Sequence, residues 1–152
     1  MQKLREEYRK RKREIKQRLK EFSQVKKEDI FYELCFCIMA AQTSGFKSWQ
    51  VACKLKENDF LNNGINREKF LRQGYIRFHN NKSKYVIEVR ERFVSIKKAL
   101  DNIRDANKKR EWLTENVKGV GMKEASHFLR NTGHRDLAIL DRHILKNLVK
   151  YK

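Results

Sequence analysis

The stretch VKGVGMKEASHFLRN, residues 117–131, is the most informative part of this chain of 152 residues. Gly119 and Gly121 stand one residue apart between two segments with helical spacing, which predicts a helical hairpin over about residues 112–131. Glycine tolerates positive φ and lets the backbone approach a ligand closely. The amides of the turn would then point outward at the start of a new helix, where free N–H groups and the helix dipole bind phosphate. A plain turn between helices uses glycine in the same way, so both interpretations are open at this point.

Two polar residues near the hairpin have side chains suited to chemistry. Lys123 lies in the first turn of the predicted helix, where the positive end of the helix dipole and the nearby Lys118 both favour the neutral amine. A neutral amine can attack a carbon centre, and an ordinary phosphate-binding lysine is the alternative. Asp141 follows the apolar run AIL, residues 138–140, where it can cap a last helix or stabilise a developing positive charge.

The rest of the chain has helical spacing and almost no strand-type alternation, so the sequence predicts an all-α fold. It contains no proline and six glycines, which fall at the predicted joints between helices. We expect Asp29, with Glu33 in the first turn, to open a buried helix, and Asn66 to cap a short helix. The predicted helices cover residues 3–22, 29–42, a segment after 45, 67–73, 83–103, 106–117, 122–131 and a last segment from about 141.

Charge and cysteine content indicate the class of partner and the compartment. The chain has 37 Lys and Arg against 19 Asp and Glu, a formal net charge of +18, which favours nucleic acid as the partner. Residues 1–28 and 76–110 carry most of the excess, although each single charge is also typical of a solvated helix face. Cys35, Cys37 and Cys53 have spacing that fits neither a zinc site nor an iron–sulfur cluster, so we expect buried, reduced thiols. No apolar run reaches the ~20 residues of a membrane span, and no secretory signal is expected.

The hairpin and the stretch LAILDRHIL, residues 137–145, together resemble the helix-hairpin-helix superfamily of DNA base-excision glycosylases. Upstream, ELCFCIMAAQTS, residues 33–44, is similar to the helix-to-loop segment of that superfamily. The likeness is closest to the archaeal-type 8-oxoguanine DNA glycosylase/AP lyases, the second Ogg family, and spans roughly residues 25–149. It implies that residues 1–152 form an all-α helix-hairpin-helix glycosylase region.

The resemblance also implies a role for individual residues. Lys123 corresponds to the amine nucleophile and Asp141 to the catalytic carboxylate, whereas His127 and His143 are expected to be structural. The hairpin is expected to hold the phosphates of the strand together with a monovalent cation, and a glutamine is expected to fill the gap left by the extruded base. The DNA contacts implied in this way are made by Gly119, Val120, Gly121 and Gln42.

The function implied is removal of 8-oxoguanine from DNA by lysine Schiff-base chemistry, followed by β-elimination at the abasic site. It needs no organic cofactor, and the expected enzyme is a monomer that acts on double-stranded DNA in the cytoplasm, at the nucleoid. Members of the family continue beyond the aspartate helix, so we expect a C-terminal segment that shapes the base pocket to be missing after Lys152. The competing hypothesis is a non-enzymatic module that only grips phosphate, which leaves the pairing of Lys123 with Asp141 unexplained.

Overall fold

The computed structural model describes residues 2–63 and 67–150, and all regular structure in these ranges is helical, as the sequence predicts. A short 3-10 turn at Lys27–Asp29 separates the first two α-helices. The α-helices are α1 (Gln2–Ser23), α2 (Ile30–Ala40), α3 (Gly45–Glu57), α4 (Phe60–Asn63), α5 (Arg67–Gln73), α6 (His79–Asn102), α7 (Ala106–Asn116), α8 (Met122–Asn131) and α9 (Arg142–Lys150).

Helix α2 forms the centre of the core because it is apolar on nearly every side. It packs against α3, α6 and α8. A helix of this kind has no face suited to water, so neighbouring helices surround it. Its fully buried side chains are Phe31, Leu34, Cys35, Cys37, Ile38 and Met39.

The long helix α6 links the core to the hairpin. Its buried stripe runs from Val86 to Leu100 at the predicted spacings, but the helix begins at His79, four residues before the predicted start at 83. The first turn contains Asn80 and Asn81 and no buried apolar side chain, so periodicity cannot reveal it. The helix starts where Phe78 adopts a left-handed backbone conformation, with φ of 57°.

Asp29 occupies the N-cap position of α2, directly before Ile30, as predicted, but its side chain does not cap the helix. Its backbone is already helical (φ −88°, ψ −15°), its side chain makes no capping hydrogen bond, and its carboxylate pairs with Lys56 of α3. Asp105 shows the contrast: its backbone is extended (φ −74°, ψ 128°) and its carboxylate accepts from Lys108 N–H at 2.8 Å. The other predicted cap, Asn66, lies outside the described residues.

The two terminal helices expose their apolar stripes. Leu4 in α1 is 58% exposed and Leu148 in α9 is 55% exposed, and neither helix has a buried residue. Only the C-terminal end of α1 packs on the body, where the guanidinium of Arg130 lies 5.0 Å from the centre of the Phe22 ring. None of the described helices is long and apolar enough to cross a membrane.

The three cysteines are free thiols, and their burial is uneven. Cys35 and Cys37 are buried in α2, as expected, and burial raises the pKa of both thiols. Cys53 is only half-buried, which corrects the expectation for that residue. It lies on the outer edge of α3, beside a small cavity.

Candidate nucleic-acid interface and lysine site

The hairpin consists of α7, the turn at residues 117–121 and α8, in the place that the sequence predicts. Gly119 has φ of +81°, and an added Cβ would lie 2.5 Å from Cδ2 of Tyr85. Glycine is therefore required at this position by both backbone conformation and space. Val120 has a buried side chain, and its N–H donates to the carbonyl of Val117 at 3.2 Å. The amide of Val120 is therefore not one of the free donors that the sequence analysis expected.

The free amides lie at the start of α8. Gly121 is extended (φ −93°, ψ −176°) and provides no side-chain cap. The first bond of the helix joins Ala125 N–H to the Gly121 carbonyl at 2.8 Å. The preceding N–H groups have no acceptor inside the helix, so they form a positive, donor-rich end that suits a phosphate. These groups belong to Met122, Lys123 and Glu124.

Helix α6 fixes the other side of the turn through charge. Glu88 accepts from Lys118 Nζ at 2.9 Å and from Arg92 at 3.1 Å, and Arg92 also donates to the carbonyl of Asn116 at 3.2 Å. The Lys118 ammonium is the main cause that holds the pKa of Glu88 below its usual value. The carboxylate of Glu88 therefore offsets the positive charge of Lys118 and holds this lysine against α6.

Lys123 and Asp141 lie at the N-terminal ends of successive helices. Asp141 Oδ1 accepts from the N–H groups of His143 and Ile144, both at 2.9 Å, so it caps α9 as its position predicts. These backbone donors, Ile144 first, lower the pKa of Asp141, and the charges of His143 and Lys123 contribute in the same direction. Within the described ranges Oδ2 accepts no hydrogen bond, so this oxygen is open for a second task.

A cavity of about 330 Å³ lies along the face of α8 that carries His127, Arg130 and Asn131. His127, one turn after Lys123, packs its ring edge-on against Phe36 of α2, with centroids 5.4 Å apart. Burial, with smaller effects from Arg130 and Lys123, lowers the pKa of His127 to about 4, so the ring is neutral at pH 7. The walls are formed by Arg18, Phe22, Glu33, Phe36, Trp49, His127, Arg130 and Asn131.

Glu33 is the acidic group of this cavity. Its carboxylate accepts from the side-chain amide of Asn131 at 3.0 Å, and burial raises its pKa despite that hydrogen bond. From the sequence, Glu33 is predicted only as a charge in the first turn of α2. Because its partner is 98 positions away in the sequence, no local pattern could have revealed this contact.

Gln42 lies in the loop between α2 and α3. It has a left-handed backbone, with φ of 54°, and it is exposed. Lys82 of α6, which was not among the predicted site residues, is buried directly behind this loop and donates to the backbone carbonyl of Ala41 in it. The spacing of Lys82 to Val86 and Val89 continues the apolar stripe of α6, and this position on the stripe is the feature that could have revealed a buried lysine.

Comparison with known proteins tests the resemblance found in the sequence. The family model Ogg-HhH, 8-oxoguanine DNA glycosylase, matches residues 15–152. The chain belongs to this family. Among the relatives of this Ogg-HhH chain, the 8-oxoguanine DNA glycosylase/AP lyase of Fusobacterium nucleatum is 43% identical over 146 residues, which cover 90% of the chain and 67% of that protein. The protein of the same name from Methanocaldococcus jannaschii is 36% identical, with 87% and 63% covered.

Solved structures confirm the Ogg-HhH fold. The 8-oxoguanine DNA glycosylase of Thermotoga maritima superposes with a TM-score of 0.85 at 32% identity and covers 99% of the chain and 73% of its own length. The M. jannaschii 8-oxoguanine glycosylase/lyase in complex with a 15mer DNA containing 8-oxoguanine gives a TM-score of 0.81 at 36% identity, with 92% and 69% covered. The chain thus spans about two thirds of the length of the curated relatives it matches.

Proposed function

We propose that this chain is a bifunctional DNA glycosylase and AP lyase that excises 8-oxoguanine from double-stranded DNA. The observation that carries the proposal is the placement of Lys123 and Asp141 at the N-terminal ends of α8 and α9, with Oδ1 of Asp141 held by two backbone N–H groups and Oδ2 accepting no hydrogen bond within the described ranges. Membership of the Ogg-HhH family supports the same chemistry. A module that only grips phosphate needs the hairpin but has no use for this pair.

In the proposed reaction the neutral Lys123 amine forms a bond from Nζ to C1′ of the lesion nucleotide while the bond from C1′ to the base breaks. The electron pair of that bond leaves with the base. Proton loss from Nζ and opening of the sugar ring then give a Schiff base. Loss of a 2′ proton to form a double bond expels the 3′ phosphate, which cleaves the strand.

The other residues of the site prepare this step. The free amides at the start of α8 would hold a strand phosphate, together with a monovalent cation bound by the turn at Gly119–Gly121. The extruded base would enter the cavity beside His127, and Gln42 would occupy the space left in the stack. Asp141 Oδ2 would face the positive charge that develops on the sugar. The enzyme would act as a monomer in the cytoplasm.

Reductive trapping tests the proposal. We expect borohydride, added during reaction with a duplex that contains one 8-oxoguanine, to yield a covalent protein–DNA adduct that maps to Lys123. Lys123→Gln should abolish trapping and strand cleavage while DNA binding persists, because the hairpin amides remain. Lys118→Gln is the matched control, since it removes a cation five positions earlier that pairs with Glu88, and it should still trap.

A preformed abasic site separates the two candidate functions. A parent protein that binds DNA, leaves 8-oxoguanine intact and still cleaves the abasic duplex through Lys123 would be a lyase without lesion recognition. A parent that cleaves neither substrate would be a binding module. An adduct in Lys123→Gln at the parental level would assign the nucleophile to another residue.

A further inference from the structure

The side chain of Lys82 ends in a closed set of hydrogen bonds behind the loop that carries Gln42. Lys82 is 5% exposed. Its Nζ donates to the carbonyl of Met39 at 2.8 Å, to Thr43 Oγ1 at 3.1 Å and to the carbonyl of Ala41. An ammonium group has three N–H donors, so these acceptors use all of them.

The set lacks an acidic partner. Lys82 makes no ion pair within the described ranges, and its acceptors are neutral carbonyl and hydroxyl oxygens. The two carbonyls, of Met39 and Ala41, lie at the C-terminal end of α2, where carbonyl groups are left without helical partners and the helix dipole favours a cation. Burying a cation is unfavourable unless hydrogen bonds satisfy it, so the position of Lys82 depends on the loop and the loop depends on Lys82.

Gln42 lies between two of these acceptors. Ala41 precedes it and Thr43 follows it, and both are bound to Lys82. Thr43 Oγ1 also accepts from the N–H of Arg77 at 3.2 Å, which ties the loop to the turn before α6. Gln42 itself has an unfavourable left-handed backbone for a residue with a side chain, and a loop fixed on both sides maintains that conformation.

We infer that Lys82 is a positioning residue that holds residues 41–43 so that Gln42 projects from the surface in the orientation needed to enter the DNA stack. The inference rests on the proposed function, because that function brings Gln42 to DNA. Lys82 touches neither the lesion nor the reacting atoms, and it acts through the backbone of the loop.

The charge state of Lys82 gives the arrangement a pH dependence. Burial, followed by the nearby Arg77, lowers the pKa of Lys82 to about 8, and Glu124 of α8 acts in the opposite direction. A neutral amine has only two N–H donors and cannot serve three acceptors. One of the three hydrogen bonds that Lys82 makes with the end of α2 and the loop is therefore lost as the pH rises through about 8.

The test compares two variants on two substrates. Lys82→Met keeps an unbranched side chain one atom shorter and removes all donors, and Lys84→Met removes an exposed lysine from the same helix. We expect Lys82→Met to excise 8-oxoguanine from duplex DNA about tenfold or more slowly than Lys84→Met, because small misplacements of a positioning group have effects of this order. Cleavage of a single-stranded oligonucleotide with a preformed abasic site should differ by less than about twofold, since it needs no flipping.

A double variant distinguishes positioning from general stability. If Lys82 acts through Gln42, Lys82→Met combined with Gln42→Ala should be no slower than Gln42→Ala alone. The ratio of the parental rate to the Lys82→Met rate should fall between pH 7 and pH 9.5. Additive losses, equal losses on both substrates, or a ratio that does not change with pH would each overturn the inference.

Hydrogen exchange separates failure of this inference from failure of the proposed function. The N–H of Thr43 donates to the carbonyl of Ala40 at 3.1 Å, so it reports on the loop without any substrate. We expect faster exchange of this amide in Lys82→Met than in Lys84→Met. If the parent cleaves no substrate but the Thr43 amide still exchanges faster in Lys82→Met, the proposed function is refuted and the anchoring of the loop by Lys82 is retained. If exchange of this amide is unchanged in Lys82→Met, the anchoring is refuted.

Discussion

Asp141 shows how one residue can satisfy a structural requirement and still be open to chemistry. Its Oδ1 is committed to two backbone N–H groups of α9, which is the ordinary arrangement of a helix cap. Its Oδ2 accepts no hydrogen bond within the described part of the chain. The cap fixes the direction of the carboxylate, and this rigidity is what an electrostatic role near a sugar cation requires.

Replacement of Asp141 by asparagine separates these two tasks. An amide oxygen can still cap α9, so we expect the melting temperature of Asp141→Asn at pH 7 to remain within a few degrees of the parent. The negative charge is lost, and excision should slow by about 10²–10³-fold while DNA affinity is retained. Single-turnover excision and thermal melting measure the two effects, and an Asn variant with the parental rate would leave Asp141 only as a cap.

The pH dependence of the cap has a definite sign. Backbone hydrogen bonds lower the pKa of Asp141 in the folded protein below the ordinary value of 3.8. Its stabilising contribution is therefore present above that value and is lost as the pH falls through the lower, folded value. The difference in stability between the parent and Asp141→Asn should thus narrow in acid, which melting curves at pH 3 and pH 6 would show.

At the scale of elements, the hairpin is held by its surroundings more than by its own sequence. Tyr85 of α6 packs over Gly119, Glu88 of the same helix binds Lys118, and the side chain of Val120 enters the core. The turn is therefore a rigid part of the body, and the amides at the start of α8 keep their direction before any ligand arrives.

Alanine at each of the two hairpin glycines should have different effects. Gly119→Ala would place a side chain at a positive φ and against the Tyr85 ring, and we expect a loss of about 2 kcal/mol or more in the free energy of unfolding. Gly121→Ala is the matched control, because the backbone of Gly121 is extended and an added Cβ would meet only the tip of the Glu124 side chain at 3.1 Å. The loss in the free energy of unfolding should therefore be smaller, about 1 kcal/mol or less. Urea denaturation measures both, and equal losses would contradict the conformational argument.

The local pattern predicts elements well where periodicity or turn residues are strong. Helix α8 has the predicted bounds, 122–131, because its apolar face and flanking glycines mark both ends. The local pattern predicts the surroundings of a side chain badly where they depend on partners far along the chain. Lys118 looks like an unpaired cation until Glu88 is placed beside it. The stripe of α6 indicates that Lys82 is buried, but not that its ammonium meets the end of α2.

At the scale of the whole molecule, much of the positive charge lies on exposed Lys and Arg side chains that form no ion pair with acidic groups in the described part of the chain. Helix α1 alone contains ten Lys and Arg, and among them Arg9, Lys12 and Lys16 form no ion pair within the described ranges. A net charge of +18 repels itself, and bound phosphates would relieve that repulsion.

Affinity for duplex DNA should accordingly fall steeply with salt. Each neutralised phosphate contributes a slope of about −0.9 in log K against log salt, so about five contacts give about −4.5. The pair Lys12→Gln and Lys16→Gln, on one face of α1, should reduce the magnitude of the slope by about 1.8. Lys98→Gln with Lys108→Gln, near the C-terminal end of α6 and the N-terminal end of α7 and so away from the turn of the hairpin, should leave the slope unchanged. Fluorescence anisotropy measures the slopes, and a flat profile for the parent would exclude this electrostatic account.

The length of α1 has a consequence for the size of the substrate. Its 22 residues extend about 33 Å, close to one turn of duplex DNA. The helix leaves the body beside the cavity, where Arg18 and Phe22 form part of the wall. If α1 lies along the duplex, its far end meets phosphates about ten base pairs from the lesion. The footprint of this chain on DNA would then extend further on the side of the lesion along which α1 lies. An oligonucleotide shortened on that side would dissociate faster than one shortened equally on the opposite side of the lesion.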